Sequence, residues 1–160
     1  MNGSRDTGFT LLELIVVMII IGLVMAAAYP AISRGSIALQ LRSTGRDVLN
    51  TFRYAREKAV TEQTRMKVLV DRDKQQLTLT DYFGDGARTY LLPKDIRIQR
   101  IALAGNEIAE GSMTVRFLPN GSCDSGEILL QADKGAWIKV STDPITGGAR
   151  MQSGSGEHAQ

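Results

Sequence analysis

From Phe9 to Ala28 the chain runs for twenty residues in which only Thr10, Glu13 and Gly22 are not plainly apolar. As an α-helix rising about 1.5 Å per residue, such a run covers about 30 Å, the thickness of a bilayer's hydrocarbon core. The run therefore predicts a membrane-spanning helix. A buried helix of a soluble core would gather its apolar residues into a stripe, and here they cover every face. A secretory signal is the competing reading, with a shorter apolar stretch before a small-residue cleavage site; Ala26, Ala27 and Ala28 imitate such a site.

Glu13 stands out within the run. An ionised carboxylate deep in a membrane helix costs about 2.5–3.5 kcal/mol, so it normally faces protein or pairs with a cation. A cut between Gly8 and Phe9 would place a new α-amine one helical turn from Glu13. An amine and a carboxylate from neighbouring copies would then neutralise each other, and the charge would serve to pack helices side by side. The plainer alternative is that Glu13 snorkels to the membrane interface.

The remaining composition narrows the chemistry. At 160 residues the chain suits one domain plus an appendage. A net charge of +2, with 22% charged and 43% apolar residues, indicates neither a disordered acidic tail nor a strongly basic nucleic-acid binder. Cys123 is the single cysteine, which excludes an internal disulfide and a multi-cysteine zinc site. His158 is the single histidine and lies in a polar tail, so a histidine-based triad or multi-histidine metal site has nothing to build on. The expectation is no enzyme, no cofactor and no metal. Asp81, Asp85, Glu107 and Glu110 flank loops and carry the oxygen ligands calcium takes, but no D-x-[DN]-x-[DN]-G loop is present. Asp124, in "NGSCDSG", reads as a turn aspartate. Cys123 reads as a buried apolar residue, with an exposed reactive thiol as the alternative, and Trp137 as a core or sheet-face aromatic.

Beyond Pro30, apolar or small residues recur at Leu41, Gly45, Val48, Phe52, Ala55 and Ala59, the spacing of a helix with one face turned to a core. Arg42, Arg46, Arg53, Arg56 and Lys58 occupy the other face, read as a solvated surface or as a contact for acidic groups on neighbouring subunits. From Met66 the period becomes two. "MKVLV" and "QLTLT" alternate around the polar turn Asp71 to Gln75, as a hairpin with one buried face does. Further strands are predicted near 89–92, 96–101, 113–118, 127–131 and 137–141, separated by turns rich in glycine, asparagine and aspartate. A helix followed by antiparallel strands gives an α+β architecture. "GSGEHAQ" after Ser153 reads as a frayed polar tail.

Gly8-Phe9-Thr10-Leu11-Leu12-Glu13, after a short polar leader with Arg5 and before a long apolar run, resembles the class III signal of type IV pilins and type II secretion pseudopilins. The resemblance implies cleavage after Gly8 by a prepilin peptidase, N-methylation of Phe9, and a role for Glu13 in contacting an adjacent subunit's amine during assembly. It implies a pilin-like α+β fold, a long N-terminal transmembrane helix packed against antiparallel β-sheets. The expected organisation is a leader at 1–8, a transmembrane and assembly helix at 9–29, a periplasmic domain at 30–152 and a flexible tail at 153–160. Gly22 and Pro30 predict a helix break, since glycine costs about 1 kcal/mol and proline about 3 kcal/mol in a helix interior; close helix packing at Gly22 is the alternative. Arg5 is offset by Asp6 while Arg34, Arg42 and Arg46 follow the run, so charge bias alone places the domain in the cytoplasm. Long domains translocate largely regardless of charge, and the family resemblance implies a single-pass inner-membrane protein with its domain in the periplasm.

Within that superfamily, "VRFLPNGSCDSGEILLQ" and "WIKVSTDPITGGARM" resemble the minor pseudopilin H and FimT/FimU-like group. The resemblance implies a structural subunit near the tip of a periplasmic pseudopilus that helps export folded proteins. Its implied partners are other minor and major pseudopilins, the prepilin peptidase, the inner-membrane secretion platform and membrane lipid. Because Glu13 is present, the extreme tip position is not expected. The alternative is a minor type IV pilin for pilus assembly or DNA uptake. FimT-like relatives bind DNA through a Gly-Arg-x-Arg stretch, whereas the corresponding place here, Gly147-Gly148-Ala149-Arg150, holds one arginine, so no nucleic-acid partner is expected.

Overall fold

A computed structural model describes residues 11–132 and 135–156, without the side chains of residues 26–35. The chain divides into two compact units, residues 1–36 and 37–160. In the first, the described backbone is helical: α1, Leu11–Thr61, starts here and continues into the second unit. The helical backbone passes through Gly22 and Pro30, so the interruption expected between them is not a feature of this structure. Among the described residues no helix is long and apolar enough to cross a membrane. The expected span from Phe9 to Ala28 starts before Leu11, and its described side chains stop at Met25.

In the second unit, α1 buries Leu41, Val48, Phe52, Ala55 and Ala59, the face its periodicity predicts, and adds Leu49. Thr44 and Thr51 are also buried, and each satisfies its hydroxyl by donating to the carbonyl one turn back, Gln40 and Asp47, at 2.9 and 2.8 Å. Gly45 marks a close approach. A Cβ there would sit 2.9 Å from Ile138 Cγ2 and 3.2 Å from Met151 Sδ, so the sheet reaches the helix backbone.

Among the described residues nine strands follow: β1 Met66–Asp71, β2 Gln76–Asp81, β3 Arg88–Leu91, β4 Ile96–Leu103, β5 Asn106–Ile108, β6 Ser112–Phe117, β7 Gly126–Ala132, β8 Ala136–Thr142 and β9 Ala149–Ser155. They form two antiparallel sheets, ordered β3-β2-β1-β6 and β5-β4-β7-β8-β9. The alternation in "MKVLV" is realised: Met66, Val68 and Val70 are buried while Lys67 and Leu69 are not. Lys74 N–H donates to Asp71 Oδ1 at 2.9 Å and Gln75 takes a φ of 52°, which closes the β1–β2 hairpin. Phe52 of α1 and Phe117 of β6 lie at the centre of the core, both fully buried, with ring centroids 5.9 Å apart. The core joins α1 to residues of both sheets, among them Val68, Leu79, Ile128 and Val140.

The domain boundary at 152 and the tail from Ser153 need correction. β9 runs to Ser155, with Ser153, Gly154 and Ser155 opposite Ile138, Trp137 and Ala136. Gly154 is required there, because a Cβ would fall 2.5 Å from Trp137 Cζ2: the indole lies flush on the β9 backbone, so Trp137 is a sheet-face aromatic. The leader at 1–8 and residues 157–160 lie outside the described residues.

Candidate functional site

Every described side chain from Leu11 to Met25 is exposed, among them Leu12, Ile15, Met18, Ile19 and Leu23. An isolated chain in water does not keep so long an apolar surface uncovered. Glu13 sits in the first turn of α1, also exposed, where the helix dipole favours a negative charge. At Gly22 a Cβ would meet nothing within 4 Å, so no contact inside this chain demands glycine. Gly8 and Phe9 lie outside the described residues, and at Pro30 only the helical backbone is described.

In the domain, the loops that sequence reading treated as turns are braced by specific bonds. Asp124 does more than turn the chain. Arg116 donates to it through Nε (2.7 Å to Oδ2), Nη2 (3.0 Å to Oδ1) and its backbone N–H (3.0 Å to Oδ2). Partial burial pushes the Asp124 carboxyl up, but these bonds and the guanidinium's charge outweigh it and hold the carboxyl below the usual carboxylate range. The pair is raised only eight residues apart by the β6 end and its following turn, a geometry no spacing rule would have signalled.

Cys123 is buried and its Sγ donates to the Asp143 carbonyl at 3.3 Å. Burial pushes its thiol pKa up, the condition of an inert cysteine. Asp143 Oδ1 accepts from the N–H groups of Ile145 and Thr146 at 2.9 and 3.2 Å, and these bonds hold its carboxyl below the usual range. Gly147, at φ 62°, lets this loop close on the preceding one: a Cβ would collide with the Gly121 carbonyl oxygen, to which Arg56 Nε also donates at 3.4 Å. The cationic helix face thus contributes one residue, Arg56, to tying two loops together, a role its sequence position did not disclose.

Two of the acidic residues considered for calcium have other uses. Asp81 Oδ1 caps the Asp85 N–H at 2.7 Å, and Glu107 pairs with Arg100 at 3.7 Å. Among the described residues no group of three or more His, Cys, Asp or Glu side chains is placed to hold a metal ion.

An apolar N-terminal helix that continues into a domain of two antiparallel sheets defines a pilin-like α+β protein. Two family models match the chain: one for the prokaryotic N-terminal methylation motif over residues 3–29, and one for the type II transport protein GspH over residues 44–147. The chain belongs to the GspH family and is a GspH-type minor pseudopilin, anchored by its N-terminus and facing the periplasm. It is 24% identical over 143 residues to the type II secretion system protein H of Xanthomonas campestris pv. campestris, covering 89% of this chain and 81% of that protein. Two structures of the minor pseudopilin EpsH from the type II secretion system of Vibrio cholerae share the fold. One superposes with a TM-score of 0.56 at 12% identity, covering 71% of this chain and 97% of that one. The other does so with a TM-score of 0.55 at 14% identity, covering 75% and 97%.

Proposed function

We propose that this chain is a structural subunit seated near the tip of the periplasmic pseudopilus of type II secretion, where it helps export folded proteins. The observation that carries the reading is the wholly exposed apolar face of α1 from Leu11 to Met25 on a GspH-family chain. Such a helix is suited to lipid before assembly and to sister helices afterwards. In this reading the prepilin peptidase cuts between Gly8 and Phe9, Phe9 is methylated, and the protein waits in the inner membrane as a single-pass subunit. Glu13 then meets the terminal amine of a neighbour as the helix leaves lipid, and Gly22 and Pro30 loosen the helix once sister subunits surround it. Its neighbours are another minor pseudopilin above and the major one below, on the inner-membrane secretion platform. It acts by contact rather than catalysis. The test is mass spectrometry of the mature protein purified from its host membranes. Expected are an N-methylated Phe9 terminus and co-purifying pseudopilins; an intact leader or the absence of those partners would refute the reading.

The second reading, a minor type IV pilin for pilus assembly or DNA uptake, draws on one observation. Arg53 and Arg56 line the same hollow of about 540 Å³ as Gly147 and Gly148, which places two further cations near the stretch ending at Arg150. Glu57 shares that hollow and offsets one of these charges, and Arg56 Nε is committed to the Gly121 carbonyl, which leaves few free donors for phosphates. Gel-shift assays of the detergent-solubilised chain with duplex DNA decide: no shift at moderate salt is expected, and tight, salt-sensitive binding would favour this second reading.

A further inference from the structure

β3 is the outer strand of its sheet and, among the described residues, pairs only with β2. Leu92 N–H donates to the Gln75 carbonyl at 3.0 Å, and the antiparallel register carries that bonded pairing to Leu77 with Tyr90 and Leu79 with Arg88. Arg88 and Tyr90 therefore direct their backbone groups to β2, whereas Thr89 and Leu91 direct theirs to the open edge. There those groups meet no partner among the described residues. Soluble proteins commonly blunt such an edge with lysine, proline, a bulge or a cover. β3 is short and opens with the charged Arg88, but its outward-facing positions are Thr89 and Leu91, with Leu91 74% exposed.

A groove of about 590 Å³ adjoins this edge. Val48, Thr51 and Tyr54 of α1 line one side, and Leu77, Tyr90 and Leu92 the other. Asp47 and Arg88 add one charge of each sign, so the groove suits a segment with little net charge. An unpaired strand edge beside an apolar groove selects for one backbone geometry. An extended segment pairs with Thr89 and Leu91 and drops alternate side chains onto the groove, whereas a docked helix would leave the strand's N–H and C=O groups buried without partners.

We infer that the free edge of β3 is the docking site for an extended β-segment of a neighbouring pseudopilin subunit. The inference rests on the reading that this chain assembles with other pseudopilins, and adds which surface does so and by what bonds. It belongs to the domain, and so is separate from the contacts of the apolar helix.

The experiment uses the full chain in its host membranes. A photoreactive amino acid replaces Leu91, or Gln152 of β9 as a control, and crosslinked peptides are identified by mass spectrometry. In parallel, Leu91→Pro removes the outward N–H while leaving the β2 ladder whole, and Leu91→Lys places a charge at the edge without altering the backbone. The expected result is a crosslink from position 91 to a strand segment of another pseudopilin, with none from position 152. Leu91→Pro should lower the co-purified pseudopilin about tenfold, the size expected for the loss of one or two net hydrogen bonds, and Leu91→Lys should also lower it because docking would bring its charge against the edge, both at an unchanged melting temperature. A crosslink to a helix or to an exported protein overturns the inference, as does full co-purification of Leu91→Lys. Wild-type chain that brings down no pseudopilin refutes the assembly reading itself, a result distinct from edge variants that assemble normally.

Discussion

Arg116 grips Asp124 with two guanidinium nitrogens and its own backbone N–H, at 2.7, 3.0 and 3.0 Å. The fork-like geometry fixes the turn from β6 toward β7 at the point where Cys123 enters the core. Charge-assisted bonds of this kind are among the strongest in proteins, although Arg116 is largely exposed and its share is screened by solvent.

The pH dependence follows from the sign of the shift. The folded Asp124 pKa lies below its unfolded value, so its contribution is fully present above the unfolded value near pH 4 and is lost as pH falls through the folded pKa. Asp124→Asn should lower stability by about 1 kcal/mol at pH 7 and flatten the loss of stability as pH falls below about 4. Urea unfolding across that range checks it; an unchanged slope would remove the pair from the account.

Gly154 and Trp137 give a second handle. Gly154→Ala forces a methyl group to within 2.5 Å of the indole, and the ring or β9 must move. A loss of about 1–3 kcal/mol is expected, with a shift of tryptophan fluorescence, which is specific because Trp137 is the single tryptophan. Truncation after Gln152 should produce the same spectral change by removing the backbone on which the ring lies.

Those two sites mark where sequence reading stopped. Met66, Val68 and Val70 announced β1 by strict alternation, and Leu41 to Ala59 announced the core face of α1, because burial on one side leaves a period. β9 left none: "ARMQSGS" is polar and small, and its strand state comes from pairing with β8. β5, three residues inside a loop rich in glycine, was hidden for the same reason. Arg116 with Asp124, and Arg56 with Gly121, are pairings made by tertiary approach, which no local pattern encodes. The apolar run and Glu13 were plain in the sequence because twenty nearly unbroken apolar residues and a single acid among them form a one-dimensional pattern.

The core should fail at its centre. Phe52 is fully buried against Phe117, and Phe52→Ala opens a cavity where α1 meets the β6 end. A cost of about 3–5 kcal/mol is expected, a large share of the total stability of a domain of this size. Circular dichroism and thermal melting of the variant in detergent check this, with Tyr54→Ala, on the exposed side of the same turn, costing much less.

Cys123 should behave as a packed residue. Buried and with its thiol pKa raised by that burial, it should resist an aromatic disulfide reagent in the folded chain and react at once in guanidinium. The ratio of the two rates reads local opening, and Asp124→Asn, by loosening the adjacent turn, should raise the native rate several-fold. Equal reactivity folded and unfolded would place the thiol at the surface.

In the proposed reading Glu13 separates processing from assembly. It lies beyond the proposed cleavage site, in the first turn of α1, so under that reading Glu13→Ala should leave cutting after Gly8 and methylation of Phe9 unchanged. If its carboxylate meets a neighbour's terminal amine in a dry environment, the variant should enter pseudopili at a level reduced at least tenfold, with secretion falling in parallel. Glu13→Gln keeps size and hydrogen bonding but not charge, and should fail nearly as badly. Mass spectrometry of the mature terminus and quantification of sheared pseudopili measure the two steps independently, and normal incorporation of Glu13→Gln would show that charge is not what the position supplies.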